Sequence, residues 1–425
     1  MSFALLGLAP ALLRAVDERG YQEPTPIQAA AIPAILGGRD MLGRARTGSG
    51  KTAAFALPLL QQQASAHPVA RPTTERRGTA RRLHTLVLVP TRELALQVGE
   101  SFRLLARHLA PPLKVVTAFG GVSINPQMMG LRGGADIVVA TPGRLLDLIE
   151  HNALRLDGVA ALVLDEADRL LDLGFADELQ RLLALLPARR QSLFFSASFP
   201  PAVKALAEAM LNDPVQLDAD APPVPHLAIR QRVIEVDAVR RTQLLRHLAQ
   251  QHAGQRMLVF VATRYGCELV ADKLGRAGIA ATALHGDLSQ GARTQALAAF
   301  KADALQVLVA TDVAARGIDI AELPIVLNYD LPRSAVDYLH RIGRTGRAGQ
   351  DGLAISFVSA ESEAHWRLIE KRHGLRLERE RIEGFEPAED AATAAAPTGG
   401  IKGRRKSKKD KLREAAAALQ PKRTA

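Results

Sequence analysis

The segment ARTGSGKT (45–52) combines glycines with a lysine and a hydroxyl residue at a spacing suited to phosphate binding. It follows a short strand-like run and precedes the apolar helical pattern AAFALPLL, a context in which backbone N–H groups turn toward phosphate oxygens. Lys51 can reach terminal phosphates, and Thr52 offers a hydroxyl to a magnesium ion. Ala45 replaces the first glycine of the strict pattern, so a plain glycine-rich turn is the alternative. The residues expected to contact a nucleotide here are Thr47, Gly48, Ser49, Gly50, Lys51 and Thr52.

An acidic pair supplies a second component of the same chemistry. Asp165 and Glu166 directly follow ALVL (161–164), a buried-strand pattern, and ligands of open parallel sheets bind at the carboxyl ends of strands. Asp165 is suited to hold magnesium, directly or through water, and Glu166 to orient or deprotonate an attacking water. Such a pair can also cap a helix. Its place after a phosphate loop in one α/β pattern favours the nucleotide site.

Three arginines separated by glycines occur in HRIGRTGR (340–347). Arg344 and Arg347 could stabilise charge on a transferred phosphoryl group, because guanidinium is planar and permanently charged. The alternative is a basic loop that binds nucleic-acid phosphates, a role also open to Arg341. If Arg344 and Arg347 face the nucleotide, the catalytic site spans two domains and is complete only when they close.

Two series of short apolar runs, separated by helical patterns, must position these residues. Such alternation predicts an α/β fold with parallel sheets. A proline-rich interruption, APPVPH (221–226), separates the series. We therefore predict a first domain at 1–215, a linker at 216–227 and a second domain at 228–384. The runs are TLVLVP (85–90), DIVVATP (136–142), ALVLDEAD (161–168) and SLFFSAS (192–198), then MLVFVATR (257–264), ATALHGD (281–287), QVLVATD (306–312), IVLNYD (325–330) and LAISFVS (353–359).

Composition excludes several classes of protein. With 47% hydrophobic and 23% charged residues among 425, the chain is neither wholly disordered, nor a collagen-like fibre, nor a pure coiled coil. No apolar run is long enough for a membrane helix and the first residues do not form a signal peptide, so we expect a cytoplasmic protein without membrane contact. Cys267 is the single cysteine, which excludes an intrachain disulfide and a cysteine-rich zinc site.

The net charge of +11 is concentrated at the carboxyl end. Residues 401–425 carry ten Lys or Arg against Asp410 and Glu414, a balance of +8, which leaves +3 for residues 1–400. We predict that residues 385–425 form a basic, disordered tail, either a solubility element or a nonspecific nucleic-acid arm. The polar, arginine-rich stretch 64–82 predicts a basic surface loop.

Together these segments resemble the DEAD-box RNA helicases, whose name is spelled by Asp165-Glu166-Ala167-Asp168. The resemblance covers about residues 3–358, and its overall pattern is closest to bacterial helicases of the RhlE type. It implies two tandem RecA-like domains, the superfamily 2 helicase core, with ATP and Mg²⁺ as cofactors. Further matching motifs are GYQEPTPIQ (20–28), PTRELA (90–95), GG (120–121), TPGR (141–144), SAS (196–198), LVFVATR (258–264), HGDLSQ (285–290) and ATDVAARGID (310–319).

The resemblance also implies roles for individual residues. Gln28 would bond to the adenine edge, Tyr21 and Phe3 would stack on or buttress the ring, and Gly317 and Asp319 would lie near the ribose and phosphates. Ser196, Ser198, Asp168 and His340 would couple the ATP state to strand separation. RNA contacts would come from Arg92, Gly121, Thr141, Arg144, Thr263, Arg264, Gly286, Thr311 and Asp312. Some of these have structural alternatives: Gly286 as a turn, Thr141 and Thr311 as helix caps.

The implied activity is RNA-stimulated ATP hydrolysis that separates short RNA duplexes or remodels ribonucleoprotein. An ATP-gated RNA clamp with little productive unwinding shares every motif, whereas a DNA-directed ATPase fits less well. Aromatic residues are only 4% of the chain, so RNA contacts should be mainly to the backbone and largely independent of sequence. Two residues depart from the family pattern, Arg46 in place of Gln and Ser198 in place of Thr. Proteins of ribosome assembly or RNA decay are conceivable partners that the sequence does not identify.

Overall fold

The computed structural model describes residues 2–45, 49–66, 81–218, 229–315, 323–346 and 352–388. Within these ranges the chain forms two parallel sheets flanked by helices. No helix in the same ranges is both long and apolar enough to cross a membrane.

The first sheet has seven strands among the described residues, in the order β3-β4-β2-β5-β6-β1-β7, and each neighbouring pair is parallel. Its strands are β1 Met41–Arg44, β2 Thr85–Leu88, β3 Val115–Ala118, β4 Ile137–Ala140, β5 Ala161–Leu164, β6 Gln191–Ser196 and β7 Val215–Asp218. The helices around it are α1 Pro10–Glu18, α2 Pro26–Leu36, α3 Lys51–Ala66, α4 Arg92–Leu105, α5 Asn125–Gly130, α6 Pro142–Glu150, α7 Ala167–Asp172, α8 Ala176–Leu185 and α9 Pro201–Met210.

The second sheet repeats this plan, in the order β10-β11-β9-β12-β13-β8-β14. Its strands are β8 Ile229–Glu235, β9 Met257–Phe260, β10 Ala281–Leu284, β11 Val307–Ala310, β12 Ile325–Asn328, β13 Gly352–Val358 and β14 Arg379–Glu380. The helices are α10 Arg241–Gln251, α11 Arg264–Arg276, α12 Gln290–Lys301, α13 Asp312–Ala315, α14 Ala335–Ile342 and α15 Glu363–His373.

Successive residues of a central strand enter cores on opposite faces of the sheet. In β5, Ala161 and Val163 pack into the core beneath α3 and α4, whereas Leu162 and Leu164 pack into the core beneath α6 and α8. A strand covered on both faces must be apolar at every position, which explains the unbroken runs in the sequence. The carboxyl ends of these strands meet along one edge of each sheet, where the following loops can converge.

The predicted fold, two tandem RecA-like α/β domains, is confirmed. The chain differs from the predicted boundaries in two places. Strand β7 continues to Asp218, three residues into the predicted linker, and residues 219–228 lie outside the described ranges. At the other end Phe385 packs against the second core, and the Ala388 N–H donates to Asp237, so 385–388 belong with the second domain. The rest of the predicted tail, 389–425, lies outside the described residues.

Candidate nucleotide site and nucleic-acid face

A buried lysine and a buried carboxylate face each other at the carboxyl edge of the first sheet. Lys51 begins α3, Asp165 directly follows β5, and Lys51 Nζ lies 3.3 Å from Asp165 Oδ1, with side chains 7% and 2% exposed. Burial alone would lower the pKa of Lys51, but Asp165 and Glu166 outweigh burial and raise it. Burial raises the pKa of the Asp165 carboxyl, whereas Lys51 opposes that rise, so the two groups hold each other's charge in a site closed to water. A charge held in this way is suited to meet an anionic ligand.

Glu166 adopts a backbone conformation that is unusual for its residue type. Its φ of 53° and ψ of 50° are left-handed, and such strain in a non-glycine residue costs about 1–3 kcal/mol. The turn places the buried Glu166 ahead of α7, where its N–H donates to Asp165 Oδ1 at 2.9 Å. Arg169 Nε lies 3.6 Å from Glu166 Oε2. The two carboxylates are thus fixed side by side in orientations that a regular helix start would not give.

One cavity of about 1100 Å³ is lined by residues of both domains. Lys51, Asp165 and Glu166 line it from the first domain, and Arg344 lines it from the second. Arg344 is buried at the end of α14 and lies on the same cavity as the phosphate loop, as the shared-site hypothesis expects. Arg347, Thr47, Gly48, Gly317, Asp319 and Arg46 lie outside the described residues.

The start of α2 is tied to the phosphate loop by Gln28. Gln28 Oε1 accepts from the Thr25 N–H at 3.0 Å, and Gln28 Nε2 donates to the Gly50 carbonyl at 3.1 Å. Thr25 Oγ1 donates to the Ser49 carbonyl at 2.9 Å. Gly50 has φ +90°, and a Cβ there would collide with Gln28 Nε2, so only glycine fits.

The Gln28 amide retains hydrogen-bonding capacity beyond these contacts. It has a second amide hydrogen and a second lone pair, the two groups needed for paired bonds to an adenine edge. Tyr21 lines the cavity, whereas Phe3 is buried behind it, with ring centroids 6.5 Å apart and stacked. Tyr21 is therefore placed to face a base, and Phe3 to support Tyr21.

The predicted coupling residues form one hydrogen-bonded network in the first domain. Asp168 Oδ2 accepts from the Ser198 N–H at 3.0 Å and from Ser198 Oγ at 2.7 Å. Ser196 Oγ accepts from the Asp168 N–H at 3.3 Å and donates to the Ser198 carbonyl at 2.7 Å. Ser198 therefore supplies its hydroxyl bond without the methyl group of the usual threonine. His340, from the second domain, is half-buried near Arg169 and Asp168, and burial lowers its pKa to about 4.

Among the predicted RNA contacts, three threonines stand at helix starts. Thr263 Oγ1 accepts from the Gly266 N–H at 3.0 Å and Thr311 Oγ1 from the Ala314 N–H at 3.4 Å, which are capping bonds. Thr141 precedes α6 without a side-chain capping bond. A Cβ on Gly286 would meet no atom within 4 Å, so the protein itself does not require glycine there.

The three arginines of the predicted RNA face differ in their solvent exposure and in the groups that they contact. Arg264 is exposed and paired with the exposed Asp287. Arg92 is half-buried and packs against Gly121. Arg144 is largely buried, and its Nη2 donates to the Val122 carbonyl at 2.8 Å, which braces the loop after Gly121.

Asp312 is engaged inside the second domain. Its two oxygens accept from Arg341 Nε and Nη2 at 2.6 and 2.7 Å, and Arg341 is only 2% exposed. Asp312 is therefore held by an intramolecular ion pair, and its side chain is still 21% exposed.

Sequence inspection missed a buried ion pair between the domains. Arg293 Nη2 lies 2.6 Å from Glu93 Oε1, and Arg293 Nη1 donates to the His285 carbonyl at 2.9 Å. Glu93 lies within PTRELA and Arg293 lies three residues after the segment HGDLSQ, but nothing local signals a partner 200 residues away.

The residues present fit a magnesium–nucleotide ligand. Within the described ranges no group of three His, Cys, Asp or Glu side chains could hold a metal alone. Magnesium bound to nucleotides takes one or two protein oxygens and completes its shell with phosphates and water. Asp165 and Thr52 line the cavity and supply oxygens of this kind.

Comparison with known proteins identifies the family. Residues 25–206 match the model for DEAD/DEAH box helicases, and residues 240–349 match the helicase conserved C-terminal domain. The chain is 43% identical over 370 residues to "ATP-dependent RNA helicase DeaD" of Mycobacterium tuberculosis, covering 87% of this chain and 63% of that protein. It is 38% identical over 378 residues to "DEAD-box ATP-dependent RNA helicase CshA" of Bacillus cereus, covering 89% and 69%.

A solved structure of S. cerevisiae Dbp5 bound to RNA and ADP BeF3 is 32% identical. It superposes with a TM-score of 0.76 over 92% of this chain and 97% of that one. The chain thus spans just under two thirds of the Mycobacterium protein and nearly all of the yeast structure. Since its sequence matches both helicase models, covers 69% of a relative to which it is 38% identical and adopts the fold of the yeast structure, the chain belongs to the DEAD-box helicase family.

Proposed function

We propose that the protein is an ATP-dependent RNA helicase, in which RNA-stimulated ATP hydrolysis between the domains drives local separation of short duplexes or remodelling of ribonucleoprotein. The observation that carries this proposal is the single cavity on which Lys51, Asp165 and Glu166 of one domain meet Arg344 of the other. The solved structure of yeast Dbp5, which is bound to RNA and ADP BeF3, supports the same ligands for this chain.

Each side chain on the cavity has a distinct task in this proposal. Gln28 and Tyr21 select and hold the base, and Lys51 donates to the terminal phosphate oxygens. Glu166 accepts the proton of the water that attacks the γ-phosphorus, and Arg344 donates to the phosphoryl oxygens as negative charge develops. Asp165 and Thr52 would hold magnesium, which neutralises phosphate charge when bound. Because Arg344 comes from the second domain, hydrolysis requires the domains to meet.

RNA would be held along its backbone by residues that follow the strands of both sheets. Arg92, Gly121 and Thr141 supply this face in the first domain, and Thr263, Arg264 and Gly286 supply it in the second. The Asp168–Ser196–Ser198 network lies between the acidic pair and this face, close to His340, and would transmit the nucleotide state. The family favours RNA over DNA as the nucleic acid, and the sequence resemblance supports RhlE-type membership and a cytoplasmic location.

Steady-state ATP hydrolysis with magnesium, measured with and without single-stranded RNA, tests the proposal. RNA should stimulate turnover, and Lys51→Ala should abolish it. Glu166→Gln should retain ATP and RNA binding while turnover falls by about 10²–10⁴, the usual contribution of a general base. Unchanged turnover in Glu166→Gln would remove Glu166 from the mechanism.

Two further measurements distinguish a helicase from a gated RNA clamp and from a DNA-directed ATPase. Displacement of one strand from short RNA duplexes should accompany hydrolysis; ATP-dependent binding without displacement would instead indicate a gated clamp. Equal stimulation by DNA of the same length would contradict the RNA assignment.

A further inference from the structure

A second large cavity lies at the opposite end of the first sheet from the ATP site. It has a volume of about 930 Å³ and is formed by the loops that precede β2, β4 and β5, together with α5. Its lining includes Arg81, Arg82, Arg132 and Arg155 against the single carboxylate of Asp157, a formal balance of +3. The ATP cavity, by contrast, is lined by four cationic residues and five carboxylates.

Close backbone packing builds this cavity. Arg81 and Gly134 form an isolated parallel bridge, and the Arg81 N–H donates to the Gly133 carbonyl at 2.9 Å. Gly134 has φ +79°, and a Cβ there would collide with the Arg81 carbonyl. A Cβ on Gly158 would lie 3.0 Å from the Leu83 carbonyl. Two glycines therefore bring three loops together, so the arginines share one rim because of the fold.

Part of the positive charge at this rim is uncompensated. Arg82 and Arg132 are exposed, and neither guanidinium has an ion-pair partner in the part of the chain that the structure describes. Arg81 pairs with Asp136, and Arg155 Nη2 lies 3.2 Å from Asp157 Oδ2. Met129, 58% exposed, adds an apolar surface to the same lining. Guanidinium groups beside an apolar side chain suit a ligand that carries both phosphates and flat bases.

Two helices, α5 and α6, run from the proposed RNA face to the cavity. α6 begins next to Thr141 and ends at Glu150, beside the cavity-lining His151. α5 begins shortly after Gly121, and its Met128 and Met129 line the cavity. The nine residues of α6 span about 13 Å, which is the scale of the separation between the two surfaces.

We propose that this cavity binds a few nucleotides of single-stranded RNA that extend beyond the segment held between the domains. The proposal rests on the RNA-binding function proposed above. Arg82 and Arg132 bind successive phosphates, and Met129 packs against a base. Its volume of about 930 Å³ is within the range of small-ligand pockets, which suits a few nucleotides. The site increases affinity for long RNA without adding sequence specificity.

The double variant Arg82→Gln/Arg132→Gln, in the full chain, tests the proposal. Its RNA affinity is compared with that of Arg14→Gln/Arg189→Gln, which removes two exposed arginines of the same domain outside the cavity. Single-stranded RNAs of increasing length are titrated at several salt concentrations. The ratio of short-RNA Kd to long-RNA Kd should fall on the order of tenfold in the cavity variant. The slope of log K against log salt for long RNA should become shallower by about 1.4, or 0.7 for each lost phosphate contact.

Each other outcome overturns the proposal. An equal loss at all lengths, or an equal loss in the control variant, would mean that the effect is general charge removal. Unchanged affinity at every length would exclude RNA as the occupant. A loss confined to RNAs with a duplex flank would refute the single-strand assignment. Failure of the proposed function is seen separately, as absence of RNA-stimulated hydrolysis in the unmodified protein.

Discussion

Replacing Arg341 with methionine should destabilise the second domain, because Arg341 sits at the centre of a buried polar network. It donates to both oxygens of Asp312, to Asn328 Oδ1 at 3.0 Å and to the Asp330 carbonyl at 2.6 Å. Its guanidinium carbon also lies 4.7 Å from the ring centroid of Phe260. The substitution leaves the Asp312 carboxylate without its counterion in a site that is mostly closed to water.

The expected magnitude follows from the cost of breaking a buried ion pair, about 3–5 kcal/mol. In a domain of about 150 residues, each kcal/mol lowers Tm by about 2–4 °C. The unfolding midpoint of the second domain should therefore fall by roughly 6–20 °C.

A tryptophan of the second domain can be used to measure its unfolding midpoint. Trp366 is the single tryptophan, and it is fully buried in the second domain. Tryptophan fluorescence during heating therefore follows the unfolding of the second domain alone. This matters because a two-domain protein can unfold in separate steps.

Two controls make the result decisive. Arg341→Met combined with Asp312→Leu should recover much of the lost Tm, since replacing both partners of a buried pair by apolar residues is often nearly neutral. Arg333→Ala, at an exposed arginine of the same domain, should change the free energy of unfolding by less than about 0.5 kcal/mol. Normal stability of Arg341→Met together with weakened RNA binding would refute the structural role and return Arg341 to the RNA surface.

Two further predictions concern titratable groups. Burial, reinforced by Arg169 and partly opposed by Asp168, lowers the pKa of His340 from 6.5 to about 4. The unfolded chain then binds the proton more readily between these values, so stability should fall as pH decreases from 6.5 to 4, and His340→Gln should flatten that part of the Tm profile; an unchanged profile would contradict the assignment. Burial raises the pKa of the Cys267 thiol to about 12, so the folded protein should resist alkylation by iodoacetamide at pH 8 and react on unfolding; rapid labelling of the native protein would show that Cys267 is accessible.

The central strands could be predicted from sequence because both their faces are buried. TLVL, IVVA and ALVL are fully buried in β2, β4 and β5, so local composition alone identifies them. The edge strand β10 was still among the predicted runs, whereas the edge strands β7 and β14 gave no such signal. VQLD in β7 alternates between half-buried and exposed residues, and β14 has only two residues, both charged. Long-range pairing with β1 and β8 holds these edges in place, and a short stretch of sequence does not encode it.

The same difference applies to the site: some of its features depend on neighbouring residues in the sequence, and others depend on residues far apart in it. The phosphate loop is one continuous segment of sequence, and the Asp165-Glu166 pair is another, so the chemistry of each could be predicted before the structure. The partners of charged residues could not. The sequence did not indicate that Asp312 pairs with Arg341, and the Glu93–Arg293 pair joins two helices of different domains.

The Glu93–Arg293 pair also bears on how the two halves of the ATP site come together. Both side chains are almost fully buried, and burying either charge alone would cost several kcal/mol. Mutual attraction offsets this cost because each charge is buried against the other where the domains meet. Arg344 reaches the cavity of Lys51 and Glu166 in the same arrangement. The Glu93–Arg293 ion pair and the placing of Arg344 at the cavity therefore belong to the same arrangement of the two domains, so loss of the ion pair should weaken the assembly of the catalytic site.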